Sequence, residues 1–237
     1  MPDPDTLLEL EDVHTYIGQH HILQGVSLRI RPDAVTVLLG RNGAGKTTTM
    51  RTIMGLLHPA RGAVRFAGRP IHGLKPYDIA RLGIGFVPEG QGIFATLTVE
   101  ENLRLAALAE DTLAPARMRR IFELFPDLER FRQARAGTLS GGQKQMLSIA
   151  RALVNPNRLL LIDEPSKGLA PIIVEHLTQA LREMKRQVTV LLVEQNFVMA
   201  SALGDEFYLI DDGHTVHHGP MAALVADQAL KKRYLGV

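Results

Sequence analysis

The residue types with the clearest chemistry lie in the run Gly40–Thr47, which reads Gly-Arg-Asn-Gly-Ala-Gly-Lys-Thr. Glycines let the backbone turn tightly, so that successive amide groups can donate hydrogen bonds to phosphate oxygens. In this spacing the ammonium of Lys46 can reach the outer phosphates of a nucleoside triphosphate, and the hydroxyl of Thr47 is a ligand for Mg²⁺. The alternative, a glycine-rich turn without a ligand, is disfavoured because the pattern arises by chance in roughly one chain in a hundred of this length. The residues predicted to bind ATP are Gly40, Arg41, Asn42, Gly43, Ala44, Gly45, Lys46, Thr47 and Thr48.

A second candidate site is the acidic pair Asp163 and Glu164, which directly follows the apolar run Leu159–Ile162. A continuous apolar run is typical of a parallel strand that is covered on both faces. Ligands of open α/β sheets bind beyond the carboxyl ends of the strands, so both carboxylates are expected to face the phosphate site. The pair resembles the Walker B motif, which implies that Asp163 holds Mg²⁺ through water and that Glu164 polarises the attacking water. The alternative is an acidic cap on a following helix that starts near Pro165.

A third cluster, Leu139–Gln143, combines a serine with two glycines. The apolar residues after it recur on one helical face: Met146, Leu147, Ala150, Leu153 and Val154. Ser140 is therefore predicted to cap this helix, whose N-terminus leaves amide groups open to an anion. Taken alone, the cluster would be an ordinary capped helix.

The three motifs in this order resemble the ABC-type ATPases, in which the third cluster is the signature. This resemblance implies that the signature closes over the ATP held by a partner subunit, because the chain has one signature and one phosphate loop. It also implies a dimer of two such subunits, identical or related. The implied signature residues are Leu139, Ser140, Gly141, Gly142 and Gln143.

Softer phrases resemble the nucleotide-binding subunit of bacterial branched-chain amino-acid importers. They are Val87–Gly90, Leu97–Leu103, Glu164–Pro171, Val193–Asn196 and Tyr234–Gly236. This resemblance implies ATP hydrolysis coupled to import, with integral membrane permease subunits as partners and a periplasmic substrate-binding protein as an indirect one. It places the chain in the cytoplasm, peripheral on the inner face of the plasma membrane. Urea, amides or other amino acids are alternative cargoes.

The same resemblance assigns roles to single residues and exposes three departures. Tyr16 matches the aromatic residue that stacks on adenine. Glu89 stands where relatives usually have a glutamine that senses the γ-phosphate, and it is a possible Mg²⁺ ligand, with Gln91 as a nearby rival. Gln195 replaces a frequent catalytic histidine. Glutamine can donate a hydrogen bond, but unlike histidine it cannot take up or release a proton near neutral pH. Ala170 replaces a frequent aspartate in the loop that crosses the dimer interface.

The assignments form two sets. The implied catalytic residues are Glu164, Lys46 and Gln195, and the implied Mg²⁺ ligands are Thr47, Asp163 and Glu89.

These residues need a sheet to position them. Val35–Leu39 reads as a buried strand before the phosphate loop, and helical spacing follows it. Further predicted strands are Leu7–Val13, Ile22–Ile30, Ala63–Phe66, Val188–Val193 and a pair within Glu206–His218; predicted helices are Thr98–Leu108, Ala114–Phe125 and one over 173–184. The alternation of strands and helices predicts an α/β fold with a parallel sheet. The resemblance to the ABC-type ATPases implies a P-loop NTPase of ABC type with a mixed or parallel sheet core, an antiparallel β lobe and a helical subdomain. We predict a single domain over 6–237, with the core and β lobe in 6–86 and 157–237 and the helical subdomain in 87–156.

Composition narrows the remaining function classes. The 237 residues carry a net charge of +2, contain no cysteine and no tryptophan, and are 5% aromatic, which disfavours thiolate metal sites and nucleic acid as a partner. The pairs His20-His21 and His217-His218 lack metal-site spacing and are predicted to be surface histidines near turns. No apolar run has the length of a membrane span, and Met1–Asp5 lacks the apolar segment of a signal peptide.

Two other function classes stay open. A soluble ABC ATPase acting on DNA or ribosomes is one, although such relatives carry long insertions or two cassettes. A nucleotide-gated binding protein without turnover is the other; Gln195 and Ala170 favour it, whereas Glu164 argues against it.

Overall fold

The computed structural model describes residues 5–107, 111–185 and 187–236. The strands are β1 (Leu8–Ile17), β2 (His20–Ile30), β3 (Val35–Leu39), β4 (Arg61–Phe66), β5 (Arg69–Pro70), β6 (Ile84–Val87), β7 (Leu159–Asp163), β8 (Thr189–Val193), β9 (Glu206–Asp211) and β10 (His214–Pro220). The helices are α1 (Lys46–Ile53), α2 (Pro76–Arg81), α3 (Val99–Ala106), α4 (Ala114–Leu124), α5 (Pro126–Arg130), α6 (Gly141–Leu153), α7 (Pro171–Met184), α8 (Phe197–Leu203), α9 (Met221–Ala226) and α10 (Gln228–Tyr234).

Within the described ranges, the larger sheet has six strands in the order β10-β9-β3-β8-β7-β6. β3 is parallel to β8 and β9, and β7 is parallel to β6 and β8, whereas β10 runs antiparallel to β9. β3, β7 and β8 are buried along their whole length, as expected of strands covered on both faces. Because these three strands are parallel, the residues that follow them emerge at one edge of the sheet.

The smaller sheet, in the order β2-β1-β4-β5 within the same ranges, is antiparallel. Leu8, Leu10 and Val64 from its inner face share an apolar core with Leu38 of β3 and Met50 of α1. The predicted antiparallel lobe is confirmed. It packs against the strand and helix that flank the phosphate loop.

The opposite face of the larger sheet carries the helices of the predicted helical part. Leu103 of α3, Phe122 of α4 and Leu147 of α6 share one core with Leu160 of β7 and Leu192 of β8. Among the helices of the described ranges, none combines the length and the apolar character that a membrane span requires.

Some element boundaries differ from the sequence predictions, each for a local reason. β1 continues beyond Val13, because Asp12 adopts a φ of 48° and a register shift restores the pairing with β2. The helix predicted from Thr98 begins one residue later, since the Thr98 hydroxyl accepts from the Glu101 amide and the Glu101 carboxylate accepts in return. Leu108, the predicted end of this helix, lies outside the described residues. The helix predicted over Ala114–Phe125 ends at Leu124, and Pro126 opens α5.

The strand pair predicted within Glu206–His218 is confirmed, and its second strand is longer than predicted. β9 and β10 form the expected antiparallel pair around the turn at Asp212 and Gly213, and β10 extends beyond His218 to Pro220. α9 and α10 follow β10 in the described part of the chain.

Candidate functional site

The phosphate loop joins β3 to α1 in the predicted strand–loop–helix context. Gly40 has a φ of 149°, and an added Cβ would lie 2.1 Å from the Ile210 carbonyl oxygen, so only glycine fits beside β9. Gly43 has a φ of 83°, and an added Cβ there would meet no atom within 4 Å, so this side of the loop is open. The loop is therefore pinned against the sheet on one side and open to a ligand on the other.

Lys46, the first residue of α1, folds back across the loop. Its Nζ donates to the Gly40 oxygen at 2.9 Å and to the Arg41 oxygen at 3.0 Å, and the side chain is 4% exposed. Burial lowers the pKa of Lys46, while Glu164 and Asp163 act in the opposite direction. The ammonium is thus held at the loop, between backbone carbonyls and two carboxylates.

Thr47 and Asp163 meet across the site. The Thr47 hydroxyl donates to Asp163 Oδ1 at 3.2 Å, and Asp163 is 1% exposed. Burial raises the pKa of Asp163 to about 6, against the effect of the Thr47 hydrogen bond. A buried carboxylate beside a hydroxyl is an oxygen pair of the kind that Mg²⁺ prefers, and a cation would offset the desolvation of Asp163. The residues present therefore fit a Mg²⁺ ion.

The raised pKa of Asp163 has a measurable effect on stability. Between about pH 4 and pH 6 the folded protein keeps a proton that the unfolded chain has lost, so the free energy of unfolding falls as the pH rises through this range. We expect Asp163→Asn to remove about 2 kcal/mol of this pH dependence. Urea unfolding in EDTA between pH 4.5 and pH 7.5 measures it. Parallel curves for wild type and variant would show that Asp163 has an ordinary pKa.

Glu164 follows Asp163 in a strained backbone conformation, with a φ of 47°. Its amide donates to the Val193 oxygen of β8 at 2.9 Å. Its carboxylate accepts a hydrogen bond from Gln195 Nε2 and lies 4.0 Å from Lys46 Nζ. The structure thus brings the three predicted catalytic residues together. The alternative of an acidic helix cap near Pro165 is wrong, because α7 begins at Pro171 and Ala170 occupies its N-cap position.

Glu89 has a partner that the sequence did not suggest. Lys167 Nζ lies 2.6 Å from Glu89 Oε1 and 3.6 Å from Glu164 Oε2. This hydrogen bond to Glu89 raises the pKa of Lys167. The predicted role of Glu89 as a Mg²⁺ ligand would require the carboxylate to leave Lys167. Gln91, the rival candidate, donates instead to the Gly141 oxygen at 3.3 Å.

Tyr16 lies near the end of β1 and is 46% exposed. Its ring stacks on His21 with a centroid separation of 4.2 Å and an interplanar angle of 6°. His21 in turn lies within hydrogen-bonding distance of His14, whose other ring nitrogen is 3.1 Å from Asp12. His21 is half-buried beside the β1–β2 turn and supports one face of the Tyr16 ring. A search for aromatic neighbours across the β1–β2 hairpin would have found it.

The signature opens α6 as predicted. Ser140 Oγ accepts from the Gln143 amide at 3.3 Å, and Gln143 Oε1 accepts from the Ser140 amide at 3.0 Å. Gly142 is buried, and an added Cβ would lie 2.3 Å from Cγ2 of Ile173 in α7. Ser140 and Gly141 are exposed, whereas Leu139 is buried. Gly142 therefore allows α6 to pack closely against α7, whereas Gly141 leaves the start of α6 accessible.

Glu194 was not among the site residues predicted from the sequence. Glu194 follows β8 as Asp163 ends β7, and it is 1% exposed. The available signal was its position directly after a buried parallel strand, next to Gln195.

Comparisons with known proteins agree with this geometry. The family model described as ABC transporter matches residues 23–167. The high-affinity branched-chain amino acid transport ATP-binding protein BraG of Pseudomonas aeruginosa is 41% identical over 97% of this chain and 100% of its own length. The probable branched-chain amino acid transport ATP-binding protein LivF of Archaeoglobus fulgidus is 36% identical over 92% of this chain and 93% of its own.

The fold is also similar to a solved structure. The crystal structure of a nucleotide-free ATP-binding cassette from an ABC transporter superposes with a TM-score of 0.83 at 25% identity, covering 94% of this chain and 96% of the other.

Proposed function

Because this chain belongs to the ABC transporter family and is one of its ATP-hydrolysing subunits, we propose that it energises the import of branched-chain amino acids across a membrane. The observation that carries the proposal is the identity to BraG, which extends over nearly the whole chain. Within the same role, urea, amides or other amino acids are alternative cargoes.

The residues of the site have complementary roles in this proposal. The backbone of Gly40–Gly45 and the Lys46 ammonium bind the phosphates of ATP, and Thr47 with Asp163 holds Mg²⁺. When bound, Mg²⁺ neutralises charge that develops on the transferred phosphoryl group. Glu164 orients the attacking water and accepts its proton. Gln195 donates a hydrogen bond to Glu164 and fixes the direction of that carboxylate.

The nucleobase would stack on Tyr16. One face of this ring is already covered by His21, and the side chain is half-exposed. A ring that is held on one side loses little freedom when a base covers the other, which favours binding. Glu89 would act near the γ-phosphate after separating from Lys167, and both are exposed enough for that rearrangement.

A second ABC ATPase subunit completes the site. Ser140 and Gly141 stand exposed at the N-terminus of α6, where amide groups favour an anion. We propose that this terminus, with Leu139, Gly142 and Gln143, closes over the ATP of an identical or related chain.

The remaining proposals follow from the importer role. The chain lies in the cytoplasm on the inner face of the plasma membrane, where its helical subdomain, residues 87–156, contacts the permease subunits. The core and β lobe occupy 6–86 and 157–237. A periplasmic substrate-binding protein contributes indirectly, and nucleic acid is not a partner.

The test is uptake of labelled leucine, isoleucine and valine by host cells that lack this gene. We expect uptake to fall at least tenfold, to return with the wild-type gene and to stay low with Glu164→Gln. A loss of urea or amide uptake instead would keep the importer role and overturn the cargo. If no uptake changes although the purified protein hydrolyses ATP, the transport role is wrong.

A further inference from the structure

Glu194 accepts four hydrogen bonds from two separate loops. Its Oε1 accepts from the Ser166 amide at 2.9 Å. Its Oε2 accepts from the Ser166 hydroxyl at 2.9 Å, the Gln195 amide at 3.0 Å and the Asn196 amide at 2.9 Å. One carboxylate thus joins the loop after β7 to the loop after β8.

These two loops carry the groups that flank the reaction site. Ser166 lies two residues after Glu164, and Gln195 is the residue whose side chain donates to the Glu164 carboxylate. The Glu164 amide is bonded to Val193, directly before Glu194. Any shift of one loop against the other would therefore change the direction of the Glu164 carboxylate.

A packing role alone does not account for this residue. Burial raises the pKa of Glu194, which means that the folded protein bears a desolvation cost to keep the carboxylate there, while the four donors act against that shift. Capping of α8 does not require it, because Asn196 Oδ1 already accepts from the Met199 amide. What the carboxylate supplies is a fixed distance between the two loops.

We propose that Glu194 is a positioning residue for hydrolysis, which holds Glu164 and Gln195 in their working geometry by bonding both loops. The inference rests on the proposed roles of Glu164 and Gln195. The phosphate loop makes none of these four bonds. Disturbing Glu194 should therefore slow turnover much more than it weakens ATP binding.

Glu194→Gln tests the inference with little change of shape. One carboxylate oxygen becomes an amide group that faces N–H or O–H donors, so at least one of the four bonds is lost. We expect kcat to fall about 10- to 100-fold, with the Kd for ATP within about twofold of wild type. Ser166→Ala removes one bond only and should lower kcat about 3- to 10-fold.

The matched control is Glu100→Gln. Glu100 is also a buried carboxylate with several partners, Arg104, Arg132 and Gln133, but it lies on α3. We expect this control to lower the melting temperature and to leave kcat unchanged within about twofold. When Ser166→Ala is added to Glu194→Gln, kcat should fall by less than about twofold further, since both changes remove the same contact.

The outcomes separate the inference from the proposed function. A wild-type protein without ATPase activity would overturn the proposed function. An active wild type with a Glu194→Gln variant of equal kcat, or with equal losses in kcat and ATP affinity, would overturn the inference alone. If Glu194→Gln does not fold, Ser166→Ala decides, and a kcat within twofold of wild type then counts against the positioning role.

Discussion

Replacing Glu164 with glutamine should lower ATP turnover by about 100- to 1,000-fold while ATP still binds. The change keeps the shape of the side chain and removes its ability to accept a proton. Glu164 Oε1 lies 4.0 Å from Lys46 Nζ and accepts a hydrogen bond from Gln195, so the loss acts directly at the site. Steady-state phosphate release measures the rate. The control is Glu123→Gln, an identical change at an exposed position on α4, which should leave the rate unchanged.

The same variant reports on the dimer. With hydrolysis blocked, ATP should accumulate at the site, and a homodimer should appear by light scattering after gel filtration. A variant that binds ATP and stays monomeric would indicate a related partner with its own signature. A wild-type rate no higher than that of the variant would remove Glu164 from the catalytic assignment.

Replacing Lys46 with methionine should weaken ATP binding by about 100-fold or more. The buried ammonium is held by the Gly40 and Arg41 oxygens, so it is already placed at the loop before a ligand arrives. Methionine preserves most of the side-chain volume but donates no hydrogen bond and carries no charge, and the phosphates lose both. Equilibrium titration with a fluorescent ATP analogue measures the affinity.

Lys232→Met is the matched control for this prediction, because Lys232 is exposed on α10. Its affinity should stay within twofold of wild type. If Lys46→Met bound ATP as tightly as the control, the Lys46 ammonium would contribute nothing to nucleotide binding, and the phosphate-loop assignment would need revision.

The phosphate loop, the acidic strand end and the signature were predictable because each is a short contiguous segment. The glycine spacing of Gly40–Gly45, the apolar run that forms β7 and the capping pair Ser140 and Gln143 are each recognisable within a few residues along the chain. Periodicity also predicted most elements. Five short elements, β5, β6, α2, α5 and α8, were not predicted, and β1 continues past its predicted end at Val13, beyond a register shift in its pairing with β2.

The contacts that organise the site were not predictable in the same way. Lys167 and Glu89, or Ser166 and Glu194, are distant along the chain and meet only because strands from different parts of the sequence end at one sheet edge. Side chains at that edge are close in space, but no repeating pattern in the sequence indicates which of them will be in contact.

The sequence by itself determined the chemistry available to this protein: a phosphate loop with a lysine, a buried carboxylate that we propose as a metal ligand, and an adjacent glutamate. The tertiary structure decided which side chains lie next to Glu164. The parallel order β3-β8-β7 brings Lys46, Gln195 and Glu194 to the Asp163–Glu164 pair. The physical reason is that each motif is a short segment whose residue types can be read along the chain. Which side chains contact each other depends on the order and register of the strands, and only the folded sheet establishes these.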